Sequence, residues 1–530
     1  MQIGLQIPVP EADRVLERVH RVLVAEIGRV QRAAAVGHRD RPLVIEVGIH
    51  IRKYGRAAVP TPCRPLVVRV TVTATRALRR HLSGQRRVPE SDVPPAPDVY
   101  RERWGTMRSP TSRAGDRVPA QDPDQPNALA PARAVDRVAG AGRRVGTVGA
   151  VTDLNPPRPD LWSLDPGVLH LNHGSYGAVP RRTQELLARL RAETETNPML
   201  WFRSVADRLA ASRLELAAYL QTDPAGFALV PNASAGVTAA LATIPIRPGS
   251  RIVLTNHAYG AVRFAAERFA RQNQAEVVVV DVPLESDDDT VVAAIGAALD
   301  ERTAALIVDH ISSATAMVFP IRRLVEACKA YDIPTIVDGA HAPALIDAPA
   351  GDGADFWTGN FHKWPAAPRA TAGLVVAEKW RSRTLPLIVS WSEYDERLPE
   401  RFDMQGTYDY APWIAAPESL RVLAELDWPR RRMQLASMID EGARVIAKAL
   451  GSGIPDVSSP AATMRLVELP FKGDRKPADG EAFKVRASRE LKAEITLTGF
   501  DTRVFIRLSA HAYNSPKDYE LLAERLPTLL

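Results

Sequence analysis

Between residues 228 and 376, short apolar runs alternate with longer stretches whose apolar residues recur three and four positions apart. A short run of this kind suits a buried strand, and the longer spacing puts one apolar face on a helix. Strands are expected over 228–230, 251–255, 276–280, 304–308, 335–337, 356–358 and 373–376, with helices over 235–243, 261–272, 291–299 and 321–330. Strand and helix repeating at this interval imply an α/β fold with a mainly parallel sheet covered on both faces. Ligands bind such sheets beyond the carboxyl ends of the strands, so the residues that follow each strand are the first candidates for a site.

Beyond about residue 390 the pattern loosens, then rebuilds with helices over 417–426 and 430–450 and strands over 464–469 and 504–508. This reads as a smaller C-terminal α+β domain. The expected organisation is residues 1–150 as an Arg/Pro/Ala-rich segment, 151–390 as the large domain and 391–530 as the small one. The first segment holds 25 Arg and 1 Lys against 14 acids, a net charge of +12, which leaves −6 for the remainder of a chain whose total is +6. Its arginines are scattered through Pro, Ala and Val, with Trp104 as the single tryptophan, and no nucleic-acid-binding motif organises them. The segment is expected to be disordered, or to be translated upstream sequence with the true start near Val148 or Val151. No nucleic-acid partner is expected.

No run reaches the roughly 18 apolar residues of a membrane helix. The first 30 residues carry Asp, Glu and Arg where a secretory signal has an apolar centre. The expectation is a cytoplasmic protein with no membrane partner. Cys63 and Cys328 lie far apart without metal-ligand spacing, so neither a disulfide framework nor a metal site is expected, and Cys328 reads as a small buried side chain.

Five clusters stand at strand ends. Asn232-Ala233-Ser234 opens a helix, which makes either an anion site or an ordinary cap. His257 and Tyr259 bring two rings to the crevice, each suited to stack on a flat heteroaromatic ligand. Asp309 precedes Ser312 and Ser313, and Asp338 precedes Gly339-Ala340-His341. A carboxylate delivered by a buried strand is costly unless a cation meets it, and a protonated pyridine nitrogen is such a cation. Lys363 follows the fifth strand end between Phe361 and Trp364. An amine packed among aromatics loses solvation, so its pKa falls and the neutral form becomes available to form an imine.

In this order and spacing, Asn232-Ala233-Ser234, Asp338-Gly339-Ala340-His341 and Thr358-Gly359-Asn360-Phe361-His362-Lys363-Trp364 resemble the class V aminotransferase superfamily of pyridoxal-phosphate (PLP) enzymes. Leu171-Asn172-His173-Gly174-Ser175-Tyr176-Gly177 and Pro368-Arg369-Ala370-Thr371-Ala372-Gly373 are most similar to its isopenicillin N epimerase-like branch. The resemblance implies an aspartate aminotransferase-like, PLP-dependent transferase fold over roughly residues 160–527. It implies Lys363 as the Schiff-base lysine and α-proton shuttle, Asp338 on the pyridine nitrogen, and Ala233, Ser234 and His362 on the phosphate. His341 and Ser313 would lie near the ring hydroxyl, and Tyr259 or His257 would stack on the ring. Thr407, after Gly406, would reach the phosphate of a neighbouring subunit, in a homodimer with shared active sites.

Arg507 matches the arginine that clamps the substrate carboxylate, with Asn172 and His173 on the substrate side. The implied substrate is a small amino acid. Epimerase or racemase ranks first, aminotransferase second, C–S or C–N lyase third, and a non-catalytic PLP-binding regulator last. No cysteine follows Lys363, which rules out the loop-cysteine persulfide chemistry of the superfamily's desulfurases.

Overall fold

The computed structural model describes residues 2–7, 45–51, 66–74, 156–471 and 477–530. The chain divides into two compact units, Met1–Gly140 and Ala141–Leu530. In the first, Gln2–Ile7, Ile45–Ile51 and Leu66–Ala74 form an antiparallel sheet with Leu66–Ala74 in the middle. The central strand is a run of β-branched residues interrupted by Arg69, the composition that favours strands. Trp104, Val148 and Val151 lie outside the described residues.

In the second unit, β1 (Phe227–Val230), β2 (Arg251–Thr255), β3 (Glu276–Val280), β4 (Thr303–Asp309), β5 (Thr335–Asp338), β6 (Phe356–Asn360) and β7 (Ala372–Val376) form one sheet. Its order is β1-β7-β6-β5-β4-β2-β3, parallel throughout except for β7, which runs antiparallel to both β1 and β6. Each strand stands where an apolar run predicts it, and some extend by a residue or two at their ends. The buried polar ends of β4, β5 and β6 are Asp309, Asp338 and Asn360.

Helices α1 (Arg181–Thr196), α2 (Pro198–Tyr219), α3 (Ala233–Thr243), α4 (Gly260–Gln272), α5 (Asp288–Ala298) and α6 (Ile321–Lys329) accompany the sheet. In α6 the spacing of Ile321, Leu324, Val325 and Cys328 puts all four on one buried face. Burying such aliphatic side chains stabilises by about 1.5–3 kcal/mol each. Asp287 caps α5, accepting from the Thr290 amide, so the helix begins three residues before its apolar pattern does.

Helices α7 (Ala411–Glu425) and α8 (Trp428–Leu450) follow. The expected start of α7 at Pro417 is corrected to Ala411: Pro412 occupies the first turn, where its missing N–H costs nothing, and Pro417 lies inside the helix. Strands β8 (Met464–Glu468), β9 (Thr496–Phe500) and β10 (Arg503–Ser509) make an antiparallel sheet with β10 central, and α9 (Pro516–Arg525) completes this part. Alternation along β10 sends Ile506 and Leu508 into a core shared with α8 and α9 and turns Arg507 to the opposite side. Among the described residues, no helix is long and apolar enough to cross a membrane.

Candidate active site

Lys363 sits in a tight loop immediately after β6. Its carbonyl accepts from the Ala366 amide at 2.8 Å, while the amide of Phe361 donates to Thr371 and its carbonyl accepts from Ala367. Phe361 and Trp364 on either side are fully buried. Gly177 has φ +68°, and a Cβ there would collide with the His362 carbonyl, so only glycine lets the 173–177 segment close on the lysine loop. The Lys363 Nζ lies 2.9 Å from His341 Nε2. Burial lowers the amine to about 7; Asp338 and Asp309 oppose that shift and Arg507 adds to it.

Asp338 ends β5, and its Oδ1 accepts from the Ala340 amide at 3.0 Å. Asp309 is its register partner on β4. Desolvation raises both carboxyl groups above the usual range, and the charge of Asp338 raises Asp309 further. Sequence analysis places Asp309 at a strand end as a costly buried carboxylate, while the family resemblance assigns it no role. Its signal is its place at the end of the neighbouring parallel strand, which puts it level with Asp338.

The N-terminus of α3 is brought up to β6 by small residues, since a Cβ on Gly236 would overlap Thr358. Asn232 caps the helix through the Ala235 amide at 2.9 Å. The Ala233 amide donates to Asn360 Oδ1 at 2.8 Å, so this amide is held by β6. Ser234, part-buried beside it, offers an amide and a hydroxyl that donate to no other described residue. His362 donates from Nδ1 to the Thr371 carbonyl at 2.9 Å, and burial holds it at about 4.

Arg507 is buried without a carboxylate partner among the described residues. It donates to the Ser313 carbonyl and hydroxyl, to Asn172 Oδ1 at 3.4 Å and to Ser175 Oγ at 3.3 Å, and its Nε has no acceptor. The structure thus brings Asn172 to Arg507. Ser313 is brought there too, where the expectation put it near a ring hydroxyl. Burial lowers Arg507 to about 10, and the Tyr259 phenol offsets part of that shift. Tyr259 is 49% exposed just before α4.

Two further expectations are corrected. His257 is fully buried, with Nδ1 at 2.8 Å from Thr315 Oγ1, Nε2 at 2.9 Å from the Val282 carbonyl, and its ring against Phe319 and Phe500. It is a packed histidine inside the core, whereas Tyr259 reaches the surface. His173 is buried as well: Nε2 donates to the Lys363 carbonyl at 3.0 Å, and Nδ1 accepts from the Tyr513 hydroxyl at 3.0 Å. It therefore supports the lysine loop from behind rather than lining the substrate side. Its ring stacks on His511 at 3.9 Å, and His511 Nε2 donates to the Trp364 carbonyl at 3.2 Å. Sequence reasoning gave no role to His511, which follows β10 by two residues. Thr407 is exposed.

A buried lysine at a strand end, two buried carboxyl groups near it and a buried arginine with no ion-pair partner among the described residues are thus gathered at the carboxyl ends of the parallel strands. The aminotransferase class-V family model matches residues 184–464, and the chain belongs to that family. It is 30% identical to the isopenicillin N epimerase of Streptomyces clavuligerus over 72% of this chain and 99% of that protein. It is 26% identical to the hercynylcysteine sulfoxide lyase of Schizosaccharomyces pombe over 68% of this chain and 94% of that protein. Among solved structures, a C-DES mutant with glycine covalently linked to its PLP cofactor matches with TM-score 0.62 at 19% identity, covering 70% of this chain and 99% of that one. The residues fit pyridoxal 5'-phosphate: neither Asp309 nor Asp338 forms an ion pair with a described residue, and Lys363 and Ser234 offer the amine and the anion donors such a group needs.

Proposed function

We propose that this chain is a PLP-dependent enzyme acting at Cα of an amino acid, and that its reaction is epimerisation. When bound, PLP supplies the electron sink that makes the α-proton acidic. The observation that carries the reading is Arg507, a buried guanidinium with an unused Nε and no carboxylate partner among the described residues. A substrate α-carboxylate supplies that partner in bidentate form and thereby fixes Cα relative to Lys363. Lys363, near neutrality as a free amine, takes the α-proton at Nζ. Inversion needs a second acid on the opposite face, and Tyr259, half exposed beside Arg507, is the group available. The ranking of epimerisation first is supported by the two isopenicillin N epimerases, at 30% and 29% identity.

A second reading, C–S lyase, is favoured by the sulfoxide lyase relative and uses the same proton abstraction on a substrate with a β-leaving group. It does not run through a protein persulfide: no cysteine follows Lys363, and burial pushes the Cys328 thiol up to about 12. The proposal includes a homodimer in which exposed Thr407 meets the phosphate of a second copy, in a cytoplasmic protein.

The test incubates the PLP-loaded enzyme with D- and L-amino acids in D2O and resolves the products by chiral chromatography. Inversion with deuterium at Cα supports epimerisation. Release of ammonia and a keto acid with loss of the β-substituent moves the assignment to lyase. Amine transfer to the cofactor moves it to aminotransferase. Borohydride reduction that attaches no PLP to Lys363 overturns all three.

A further inference from the structure

The indole of Trp364 is fully buried, and its Nε1 lies 3.3 Å from His341 Nδ1. An indole N–H donates and has no lone pair to accept with. His341 Nδ1 is therefore the acceptor, and a neutral imidazole with a bare Nδ1 carries its one proton on Nε2. Burial keeps His341 neutral, the neighbouring Lys363 and Arg507 reinforcing it. Its Nε2 stands 2.9 Å from Lys363 Nζ. An ammonium at that place meets a donor with nothing to receive its proton, whereas a neutral amine accepts from it.

We propose that Trp364 is a positioning residue: by fixing the tautomer of His341, its indole N–H holds Lys363 as the free amine that reacts. The inference rests on Lys363 being the reacting amine and is independent of which bond at Cα is then broken. The other charges facing Lys363 do not make the device redundant. Asp309 from β4 and Asp338 from β5 draw the amine toward the ammonium, Arg507 from β10 opposes them, and His362 beside it is held neutral by burial. His341 is the group in direct contact, and its donor is the part of this balance that Trp364 sets. The backbone that carries the indole is itself pinned, through the bonds from His173 to the Lys363 carbonyl and from His511 to the Trp364 carbonyl.

The experiment uses full-length protein freed of cofactor. In wild type labelled with 15N-histidine, the imidazole signal lost in His341→Gln should show a protonated Nε2 and an unprotonated Nδ1; the reverse pattern would falsify the proposal without any Trp364 variant. Reductive methylation of Lys363, read by peptide mass spectrometry against pH, then reports the amine's pKa. Trp364→Phe keeps an aromatic ring but frees the His341 tautomer to accept from an ammonium. The Lys363 pKa should rise by about one unit, seen as about tenfold slower labelling at a fixed pH below it. In a His341→Gln background the amide can donate whatever Trp364 does, so adding Trp364→Phe should leave labelling unchanged. An equal shift in both backgrounds means that the tryptophan acts by packing alone and overturns the inference. Loss of labelling at Lys363 at every pH in wild type would instead remove the reactive-lysine reading beneath it.

Discussion

Asp309 and Asp338 end neighbouring parallel strands as register partners, so two carboxyl groups share one buried corner beside Lys363. Burial and the Asp338 charge hold Asp309 well above the usual carboxylate range. A group whose folded pKa is raised stabilises the fold below its unfolded value of about 4 and loses that contribution as pH climbs through the folded value. Asp309→Asn keeps the shape and removes the titration. Apoprotein Tm, measured from about pH 4 to 6 and so below the range where Lys363, at about 7, begins to titrate, should fall more steeply with rising pH in wild type than in the variant. Parallel curves would show that Asp309 ionises freely.

Arg507→Lys should separate substrate binding from cofactor binding. The guanidinium reaches Ser313, Asn172 and Ser175 in a fork that a lysine ammonium cannot reproduce. We expect KM for the amino acid to rise about 10- to 100-fold, the range for losing one charge-assisted bidentate pair, with the spectrum of bound PLP unchanged. A variant that loses PLP and keeps KM would place Arg507 on the cofactor instead.

The stacked pair of histidines behind the lysine loop gives an unequal prediction. His173→Phe leaves the buried Tyr513 hydroxyl without a partner and takes from the Lys363 carbonyl one of its two donors, the Ala366 amide remaining. His511→Phe strands the Trp364 carbonyl alone and at the same time removes an Nδ1 that has no partner among the described residues. At about 1–3 kcal/mol for an unsatisfied buried group and about 1 kcal/mol for a bond lost from an acceptor that keeps another donor, His173→Phe should cost roughly 2–4 kcal/mol and His511→Phe about 1 kcal/mol. Urea unfolding of the two variants measures the difference, and equal losses would mean that ring packing dominates both.

These contacts show where the sequence could be read and where it could not. The strands carrying Asp309, Asp338 and Asn360 are apolar runs buried on both faces, and that pattern survives in a single sequence because burial of both faces requires it. Lys363 is legible for the same reason, since it follows such a strand among aromatics. His257 and His173 could not be assigned, because a ring at a strand end or in a motif can point toward the cleft or into the core, and the choice was made by Phe500, Thr315 and Tyr513, residues far away in sequence. Nor could the tie between Trp364 and His341, which depends on an indole turning toward β5 rather than away from it. In α7 the local rule itself misled, since proline is common in a first turn and Pro417 is not in one.

The amine of Lys363 sets the last prediction. Capture of PLP by the apoprotein requires the neutral amine, so its rate should rise with pH and level off above the folded pKa of Lys363, which burial places at about 7. An ordinary lysine would keep gaining rate towards its own pKa of about 10.4. The neighbouring charges give the sign of each shift. Arg507 disfavours the ammonium, so Arg507→Gln should move the inflection to higher pH; Asp338 favours it, so Asp338→Asn should move the inflection to lower pH. Stopped-flow absorbance of PLP against apoprotein from about pH 5.5 to 9.5 covers both displacements around the wild-type value. A wild-type rate still climbing at the top of that range would mean that Lys363 is solvated in solution, and opposite displacements in the two variants are what a buried amine balanced between Asp338 and Arg507 must give.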